Sequence, residues 1–521
     1  MAYRPLLYPS FGKGLNLRDQ SEVGPDEALD LLDVECTARD AVKQRGGHIK
    51  FTAQAAAARY DSLAAYYTMA GTRHLVAGAG NEVRALDTSG ALVASQATSA
   101  APHQFARFGS PSTEVLFAAN GTDQLRQWNG AAWTTPAWTL TGTPAPAPAP
   151  TGRLVSVWGV SNRLVNARRG GSTEGNNPST CRFSNPGDPV TWDADNFVDL
   201  TPGDGEPIMG MVSWRELLFV FKQSKFFIFY GESTDETGNP EFNYRPVSTN
   251  VGLVAVDAVA TARDGVYFLD RTGVYKTNGN EPELVSNALD ALFRQVVPPF
   301  YSGSPVNFAN IANARMGWHD ERLFLAVSTR QPFNDRLFVF DTRYGWWSVY
   351  SLPCSALCDF RVADKGDLMF AYATGSNDVG RHRDTDTADA GAVIPSFWQG
   401  GWWDHKQPVV HTVREHKLWG LGQVISSLAV DYMTAGTGTL VDFAASSDTW
   451  GDGTGPDLWA DGTDPTDTWG GGEVLAGQLV RDARRGSVFS LRLAGADGAP
   501  WEVHRAQMNL RDIRIPQPVR G

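Results

Sequence analysis

The stretch DGVYFLDRTGVYKTNG, at residues 264–279, predicts a β-hairpin. Residues 266–269 and 274–277 are rich in aromatic and β-branched side chains, which favour strands on a half-buried sheet. The residues between them are turn formers, and Gly273 is free to take a positive φ angle. The stretch therefore predicts two short antiparallel strands joined by a solvent-facing turn.

Similar hairpins recur along most of the chain, and the recurrence decides the fold class. Their first strands begin near residues 72, 114, 162, 215, 264, 321 and 367, with successive intervals of 42, 48, 53, 49, 57 and 46 residues. A β-propeller blade has four strands and repeats every ~40–50 residues. We therefore predict an all-β protein with a β-propeller of six or seven blades. Two unrelated β-domains with hairpins at this spacing remain the alternative.

The pattern divides the chain into three parts. Residues 1–60 are turn-rich and predict an extended N-terminal arm, and residues 61–392 contain the propeller hairpins. Residues 393–521 carry longer alternating strands and predict a C-terminal antiparallel β-sheet or sandwich region. A segment rich in Gly, Asp and Trp, residues 446–472, interrupts this C-terminal region.

Within the opening stretch, three side chains are expected to belong to the propeller core. They are Val266, Phe268 and Val274, which we expect to pack between neighbouring blades. The hairpin is then evidence about architecture and carries no chemistry of its own.

The bulk composition excludes several classes of protein. With 42% hydrophobic residues the chain can bury a large core, which argues against disorder. The net charge of −12 comes without a long basic run, so a face for tight duplex binding is not expected. We expect no signal peptide, no stable membrane insertion and synthesis in a cytosol. The four cysteines predict buried free thiols rather than a disulfide framework.

The Gly/Asp/Trp-rich segment is the clearest candidate for binding a partner. It contains three Asp-x-Trp units, whose aromatic residues are Trp450, Trp459 and Trp469. Exposed tryptophans beside polar residues can stack on sugars or anchor a protein partner. The carboxylates do not match known calcium-loop spacings. Tryptophans that fold back onto the sheet are the plainer alternative.

No residue pattern in the chain strongly indicates a catalytic or metal-binding site. Asp193 and Asp195 place two carboxylates together, as glycosidases require, but no sequence rule joins them to another blade. His411 and His416 differ by an odd number on a predicted strand, which argues against a shared metal. No nucleophile elbow, phosphate loop or metalloprotease helix is present. We predict no enzyme activity, no cofactor and no metal site.

Several segments together resemble a family of tailed-bacteriophage virion proteins in which an extended arm leads into a β-propeller. The segments are GLNLRD (14–19), GPDEALDLLDV (24–34), VKQRGG (42–47), FSNPGDPVTW (183–192), the region 253–275 and WEVHR (501–505). Best known in this family are the nozzle or hub proteins of short-tailed phages. This chain is shorter than the large nozzles.

The resemblance implies a structural component of the virion tail. In that role, several propellers, in our prediction a hexameric ring, surround the DNA exit channel and dock on the portal–adaptor complex and other tail proteins. Genomic DNA would pass through without sequence-specific binding, and the net negative charge of the protein would help to keep the DNA mobile. Two alternatives stay open, a receptor- or glycan-binding tail-tip protein and a glycan-cleaving propeller enzyme.

The predicted arm supplies the candidate subunit contacts. They are Leu15, Asn16, Leu17, Arg18 and Asp19, together with the three tryptophans of the segment at residues 446–472. Because the arm lacks a core of its own, we expect it to pack on a neighbouring subunit. Deleting residues 1–40 should then leave a folded monomer that does not assemble.

Overall fold

In the computed structural model, the chain folds into a seven-bladed β-propeller and one further large sheet. The structure describes residues 4–8, 10–19, 22–37, 40–110, 113–142, 149–167, 178–234, 240–404, 410–431, 438–443, 476–486, 488–496 and 500–513. In these ranges, no helix is long and apolar enough to cross a membrane.

Five short strands open the chain and belong to two different sheets. Four of them join the large sheet, and the fifth joins the last propeller blade. They are β1 (Arg4–Leu7), β2 (Ala28–Leu32), β3 (Val34–Cys36), β4 (Val42–Gln44) and β5 (His48–Lys50).

Blades 1 to 3 follow, each an antiparallel sheet whose first long strand lies innermost. Blade 1 contains β6 (Tyr60–Tyr67), β7 (Arg73–Ala79), β8 (Glu82–Leu86) and β9 (Leu92–Ala97). Blade 2 contains β10 (Gln104–Ser110), β11 (Thr113–Ala119), β12 (Arg126–Trp128) and β13 (Trp133–Thr134). Blade 3 contains β14 (Thr139–Thr141), β15 (Leu154–Trp158), β16 (Arg163–Ala167), β17 (Thr180–Asn185) and β18 (Asp188–Asp199). Its extra strand β14 runs parallel to β18.

Blades 4 to 7 complete the ring. Blade 4 contains β19 (Gly210–Trp214), β20 (Leu217–Phe221), β21 (Phe226–Thr234) and β22 (Pro240–Ser248). Blade 5 contains β23 (Val259–Ala262), β24 (Gly265–Asp270), β25 (Gly273–Thr277) and β26 (Glu283–Leu284). Blade 6 contains β27 (Arg315–His319), β28 (Arg322–Val327), β29 (Arg336–Asp341) and β30 (Trp346–Tyr350). Blade 7 contains β31 (Cys354–Phe360), β32 (Asp367–Tyr372) and β33 (Val379–His382), with β5 as its outer strand.

The little helix found among the described residues lies between blades 5 and 6. It consists of one α-helical turn, α1 (Asp290–Phe293), and two 3-10 helices, Asn287–Leu289 and Phe308–Asn313.

The remaining strands form the large sheet, called the terminal sheet because both ends of the chain contribute to it. They are β34 (Phe397–Gly400), β35 (Trp403–Asp404), β36 (Val410–Val430), β37 (Thr439–Asp442), β38 (Ala476–Gly486), β39 (Val488–Gly495) and β40 (Trp501–Ile513). Their order is β2-β34-β39-β36-β40-β4-β3, with β1, β35, β37 and β38 paired beside this path. Strand β36 is the longest strand of this sheet, and Gly422 within it has a φ of 74°.

The seven predicted hairpins are the second and third strands of the seven blades, which confirms the propeller and settles its blade count at seven. In blade 5, β24 and β25 pair from Val266↔Thr277 to Asp270↔Gly273, as the opening stretch predicts. Gly273 has a φ of 150°, and a Cβ there would lie 2.7 Å from a methyl group of Leu284.

Apolar clusters between successive blades hold the ring together. Phe268 of blade 5 lies with its ring centroid 4.9 Å from that of Phe221 in blade 4, and Val266 and Val274 are buried in the same cluster. A further cluster joins Met369 and Val379 of blade 7 to residues of blade 1, which closes the ring. The expected inter-blade packing of the opening stretch is therefore confirmed.

The N-terminal residues form no separate arm in the described ranges. Strand β2 pairs with β34, and β4 pairs with β40, so the terminal sheet is built from both ends of the chain. Strand β5 pairs with β33, from Gly380↔Lys50 to His382↔His48, and so completes blade 7. The predicted boundary at residue 60 thus divides one strand network, because the pairing partners lie more than 300 residues away.

Candidate functional site

All seven blades contribute to the wall of the propeller channel. Its wall consists of the innermost strands β6, β10, β15, β19, β23, β27 and β31, each of which contacts the next around the ring. The cavity along it has a volume of about 600 Å³, within the ~300–1,000 Å³ typical of small-molecule sites. Aliphatic side chains such as Val157, Val212 and Val259 line it.

Charged residues gather at one mouth of this channel. All seven innermost strands run in the same direction, so residues at their N-terminal ends meet at one opening. There lie Arg59, Asp61, Arg153, Asp257 and Arg315, which we call the mouth cluster. They come from blades 1, 3, 5 and 6 and from the connections that precede those strands.

Two arginines of the mouth cluster share one carboxylate. The Oδ2 atom of Asp257 lies 3.5 Å from an Nη atom of Arg153 and 3.6 Å from an Nη atom of Arg315. Both distances exceed the ~2.7–2.9 Å of a charge-assisted hydrogen bond. Both side chains are nevertheless only 13% exposed. Within the described ranges, the Nε atom of Arg315 makes no hydrogen bond.

Two titratable groups at the mouth are shifted toward their neutral forms. Burial raises the pKa of Asp61, although the Ser62 hydroxyl donates to its Oδ1 at 2.9 Å and three arginines oppose the rise. Burial and the nearby Arg153 lower the pKa of His103 to about 4. His103 is therefore neutral at pH 7. Its Nδ1 atom makes no hydrogen bond within the described protein.

A second charged group, which we call the junction cluster, joins the propeller to the terminal sheet. It consists of Asp33, Glu35, Arg45, Arg322 and Asp389. Arg45 is fully buried, and its Nε lies 2.6 Å from Oδ1 of Asp33. Its two Nη atoms donate to the two oxygens of Asp389 at 2.9 and 2.6 Å, a bidentate geometry.

The second half of the junction cluster is centred on a carboxylate from β3. Oε1 of Glu35 accepts from an Nη atom of Arg322 at 2.7 Å and from the Tyr350 hydroxyl at 2.5 Å. Burial disfavours the charged carboxylate, but Arg322 and Lys43 outweigh it and lower the pKa of Glu35 to about 2. The strand β3 is thereby fixed to blade 6.

One group of side chains in the described ranges has the spacing of a metal site. It comprises Glu35, His382 and Asp384. Because Arg322 already lies within 3.4 Å of Asp384 and bonds Glu35, a cation there would meet a guanidinium group. We assign no metal to it.

The structure places the predicted subunit-contact residues in two environments. Leu15 and Leu17 are buried, and their backbone amides donate to Trp347 and Ala288 of the propeller side at 2.8 Å each. Asn16 is buried as well, at 6% exposure. These three side chains are therefore unavailable to a partner, which corrects the prediction for them. The reason is that blade 6 offers an outer edge and apolar surface that the N-terminal segment covers.

Arg18 and Asp19 lie at the surface instead. They line a groove of about 950 Å³ beside α1, together with Asp290, Arg294 and Val297. Their predicted role in subunit contact stays a prediction. Trp450, Trp459 and Trp469 lie outside the described residues, as does the whole segment 446–472.

The other sequence candidates are separate from the channel. Asp193 accepts a hydrogen bond from the Thr141 hydroxyl at 2.6 Å, in the outer strands of blade 3. His416 is buried, and its Nε2 lies 2.7 Å from the Ser426 hydroxyl. A β-bulge between Val413 and Glu415 removes the strict alternation on which the His411–His416 argument relied. The four cysteines are free thiols, three of them buried, as expected.

Comparison with known proteins adds a fold likeness only. No protein-family model matches the chain, and no curated protein matches it. Among solved structures, the RRP9 WD40 repeats share 8% identity at a TM-score of 0.37, covering 65% of this chain and 99% of that one. The U3-55K structure shares 8% identity at a TM-score of 0.36, covering 63% of this chain and 96% of that one.

Proposed function

We propose that this protein is a structural component of a bacteriophage tail, one subunit of a ring, hexameric in our proposal, around the DNA exit channel. In this role it docks on the portal–adaptor complex as a nozzle or hub, and it catalyses no reaction. The observation that carries the proposal is the junction cluster, together with the family resemblance of the sequence. A nozzle subunit must keep its propeller and its terminal sheet in a fixed orientation under mechanical load.

The junction cluster supports such rigidity in a specific way. One chain segment, residues 28–50, supplies strands β2–β4 to the terminal sheet and β5 to blade 7. Within this segment, Glu35 makes a buried ion pair with Arg322 of blade 6, and Arg45 pairs with Asp389, which follows blade 7. Breaking such a pair leaves an uncompensated buried charge, so the two parts resist moving independently.

The terminal sheet supplies a candidate subunit contact. Within the described ranges, β37 and β38 pair only with β36, so their other side is an open sheet edge. This edge, residues 439–442 and 476–486, exposes Leu440 at 54% and Leu479 at 47%. Open edges with apolar side chains favour pairing with another chain. We propose that this edge makes the contact between neighbouring subunits.

The net negative charge of the protein suits a subunit that surrounds passing DNA. A net charge of −12 disfavours stable contact with phosphates and leaves the genome free to move. No DNA sequence would be read. In this proposal the protein is made in the host cytoplasm and resides in the tail of the virion.

The mass of the purified protein in solution tests the ring directly. We expect a ring of defined subunit number, visible by electron microscopy and measured by native mass spectrometry. Replacing both edge leucines (Leu440→Lys with Leu479→Lys) should convert the ring to monomers with an unchanged melting temperature, because both side chains are exposed.

A matched control is Met69→Lys, which changes an apolar residue of blade 1 that is 77% exposed, more than either edge leucine. This variant should still form rings. A wild-type protein that stays monomeric at its highest soluble concentration contradicts the proposed ring. Rings that persist in the double leucine variant contradict the proposed contact edge. Antibody labelling of purified particles would then test the position in the tail.

A further inference from the structure

We infer that a cleft between the terminal sheet and the connection from blade 5 to blade 6 binds a neutral, polyhydroxylated ligand of the size of a mono- or disaccharide. The cleft has a volume of about 450 Å³, within the range typical of small-molecule sites. The inference goes beyond the ring proposal and does not depend on it, since the cleft lies within one subunit.

A row of polar side chains crosses the terminal sheet and forms one wall of the cleft. Asp30 of β2 lies opposite Gln399 of β34, which lies opposite Arg492 of β39. Arg492 in turn lies opposite Ser427 of β36. Directly opposite residues of antiparallel strands share one face of a sheet, and all four line the cleft. The wall therefore presents hydrogen-bonding groups from four adjacent strands.

Two adjacent side chains of this row have incomplete hydrogen bonding. Asp30 is 2% exposed, and its Oδ2 accepts from the Ser302 amide at 3.1 Å, whereas its Oδ1 makes no hydrogen bond within the described ranges. Burial raises the pKa of Asp30 to about 6, although Ser302 and Arg492 oppose the rise. Gln399 is 6% exposed, and its Oε1 accepts from an Nη atom of Arg492 at 3.1 Å, whereas its Nε2 donates to no described group. Buried polar groups without a partner are costly, so both favour a ligand that supplies one.

Hydroxyl groups complement this pair of side chains. The carboxylate of Asp30 accepts a hydrogen bond, and the Nε2 atom of Gln399 donates one. Two neighbouring hydroxyl groups of a sugar can satisfy both, because each hydroxyl donates and accepts. Asp30 and Arg492, the charged side chains in the lining of the cleft, have opposite signs, so an ion would be attracted by one and repelled by the other. The row therefore favours a neutral ligand with several hydroxyl groups.

The opposite wall of the cleft is aromatic. It is part of the connection that follows α1, and Pro299, Phe300 and Tyr301 line it. The ring of Phe300 packs edge-to-face on that of Trp402, with 5.4 Å between the centroids, which holds this wall against the terminal sheet. A sugar ring can place its C–H groups against such a wall while its hydroxyl groups reach the polar row.

Binding of D-glucose, D-galactose and N-acetyl-D-glucosamine to the full-length protein, measured by NMR titration, tests the inference. Cyclohexanol, a ring of the same size with a single hydroxyl group, and glycine, a zwitterion, are the comparison ligands. We expect at least one of the three sugars to bind at least tenfold more tightly than cyclohexanol and glycine. The reason is that a site built to hydrogen-bond hydroxyl groups rejects analogues that lack them.

Asp30→Asn should weaken binding of the best-bound sugar at least tenfold, because an amide replaces the charged acceptor. The melting temperature of this variant should be unchanged or higher, since the substitution removes a buried charge. Asp270→Asn is the matched control. Asp270 of blade 5 is also buried, and burial also raises its pKa, but it lies outside the cleft. This control should change sugar binding less than twofold.

A second variant keeps the test informative if Asp30→Asn folds poorly. Ser427→Ala removes one hydroxyl group of the polar row, leaves the carboxylate in place and should weaken sugar binding at least threefold. The inference is overturned if no sugar binds more tightly than cyclohexanol, or if glycine binds more tightly than every sugar. Sugar binding that is unchanged in the folded Asp30→Asn or Ser427→Ala variant would overturn it as well.

Discussion

The junction cluster and the mouth cluster are built from the same residue types but are bonded differently. In the junction cluster, Arg45 contacts two aspartates at 2.6–2.9 Å and has no exposed surface. In the mouth cluster, Arg153 and Arg315 contact one aspartate at 3.5 and 3.6 Å and keep 13% exposure each. The ion pairs of the junction cluster are therefore the shorter and the more deeply buried ones.

This difference predicts unequal contributions to stability. A buried ion pair with complete hydrogen bonding resists the loss of either partner, because the remaining charge would be left unpaired. The Arg315–Asp257 pair of the mouth cluster is longer and should contribute less, so the junction cluster should dominate stability.

The largest effect should come from Arg45→Ala. The substitution leaves Asp33 and Asp389 without their buried cation, so we expect the free energy of unfolding to fall by about 3–5 kcal/mol. Urea denaturation at pH 7 measures it. Arg343→Ala is the control, since Arg343 pairs with Asp341 at 3.0 Å but is 45% exposed, and it should cost less than about 1 kcal/mol. Equal losses in the two variants would refute the structural role of the junction.

Lowering the pH should have a smaller effect on the free energy of unfolding. The pKa of Glu35 is lowered to about 2 because Arg322 and Lys43 outweigh the burial of the carboxylate. A lowered folded-state pKa contributes stability above the unfolded-state pKa of about 4.3, and this is lost as pH falls toward 2. The contribution is about 3 kcal/mol. Wild type should therefore exceed Glu35→Gln in stability at pH 7, with the difference narrowing toward pH 3. A constant difference would contradict the assigned cause.

Local patterns in the sequence predict much of the propeller. The hairpin at residues 264–279 forms as β24 and β25, and its six relatives mark the second and third strands of the other blades. Strands of two or three residues, such as β26, leave too little pattern to read. The pairing of β5 with β33 joins residues 48–50 to 380–382, and nothing local to either segment encodes it.

The channel mouth could not be found from the sequence for a related reason. Its charged residues come from four blades. From Asp61 to Arg153, from there to Asp257 and from there to Arg315, the chain runs 92, 104 and 58 residues, so no motif links them. The one signal in the sequence is position: each charged residue of the mouth cluster lies just before, or at the start of, the first strand of its blade. The junction was missed because the segment 43–48 predicts only a strand and a glycine turn.

The smallest effect on stability should come from the Arg315–Asp257 pair of the mouth cluster. In a double-mutant cycle on Arg45 and Asp389, we expect a coupling energy above about 2 kcal/mol, because the two side chains share two short hydrogen bonds. In the matching cycle on Arg315 and Asp257, 3.6 Å apart, we expect less than about 0.5 kcal/mol. Both cycles are measured by urea denaturation without added ligand. Because the Arg315–Asp257 distance is the longer one, we expect this pair to contribute less to stability. Equal coupling in the two cycles would mean that the mouth pair stabilises the fold as much as the junction pair does.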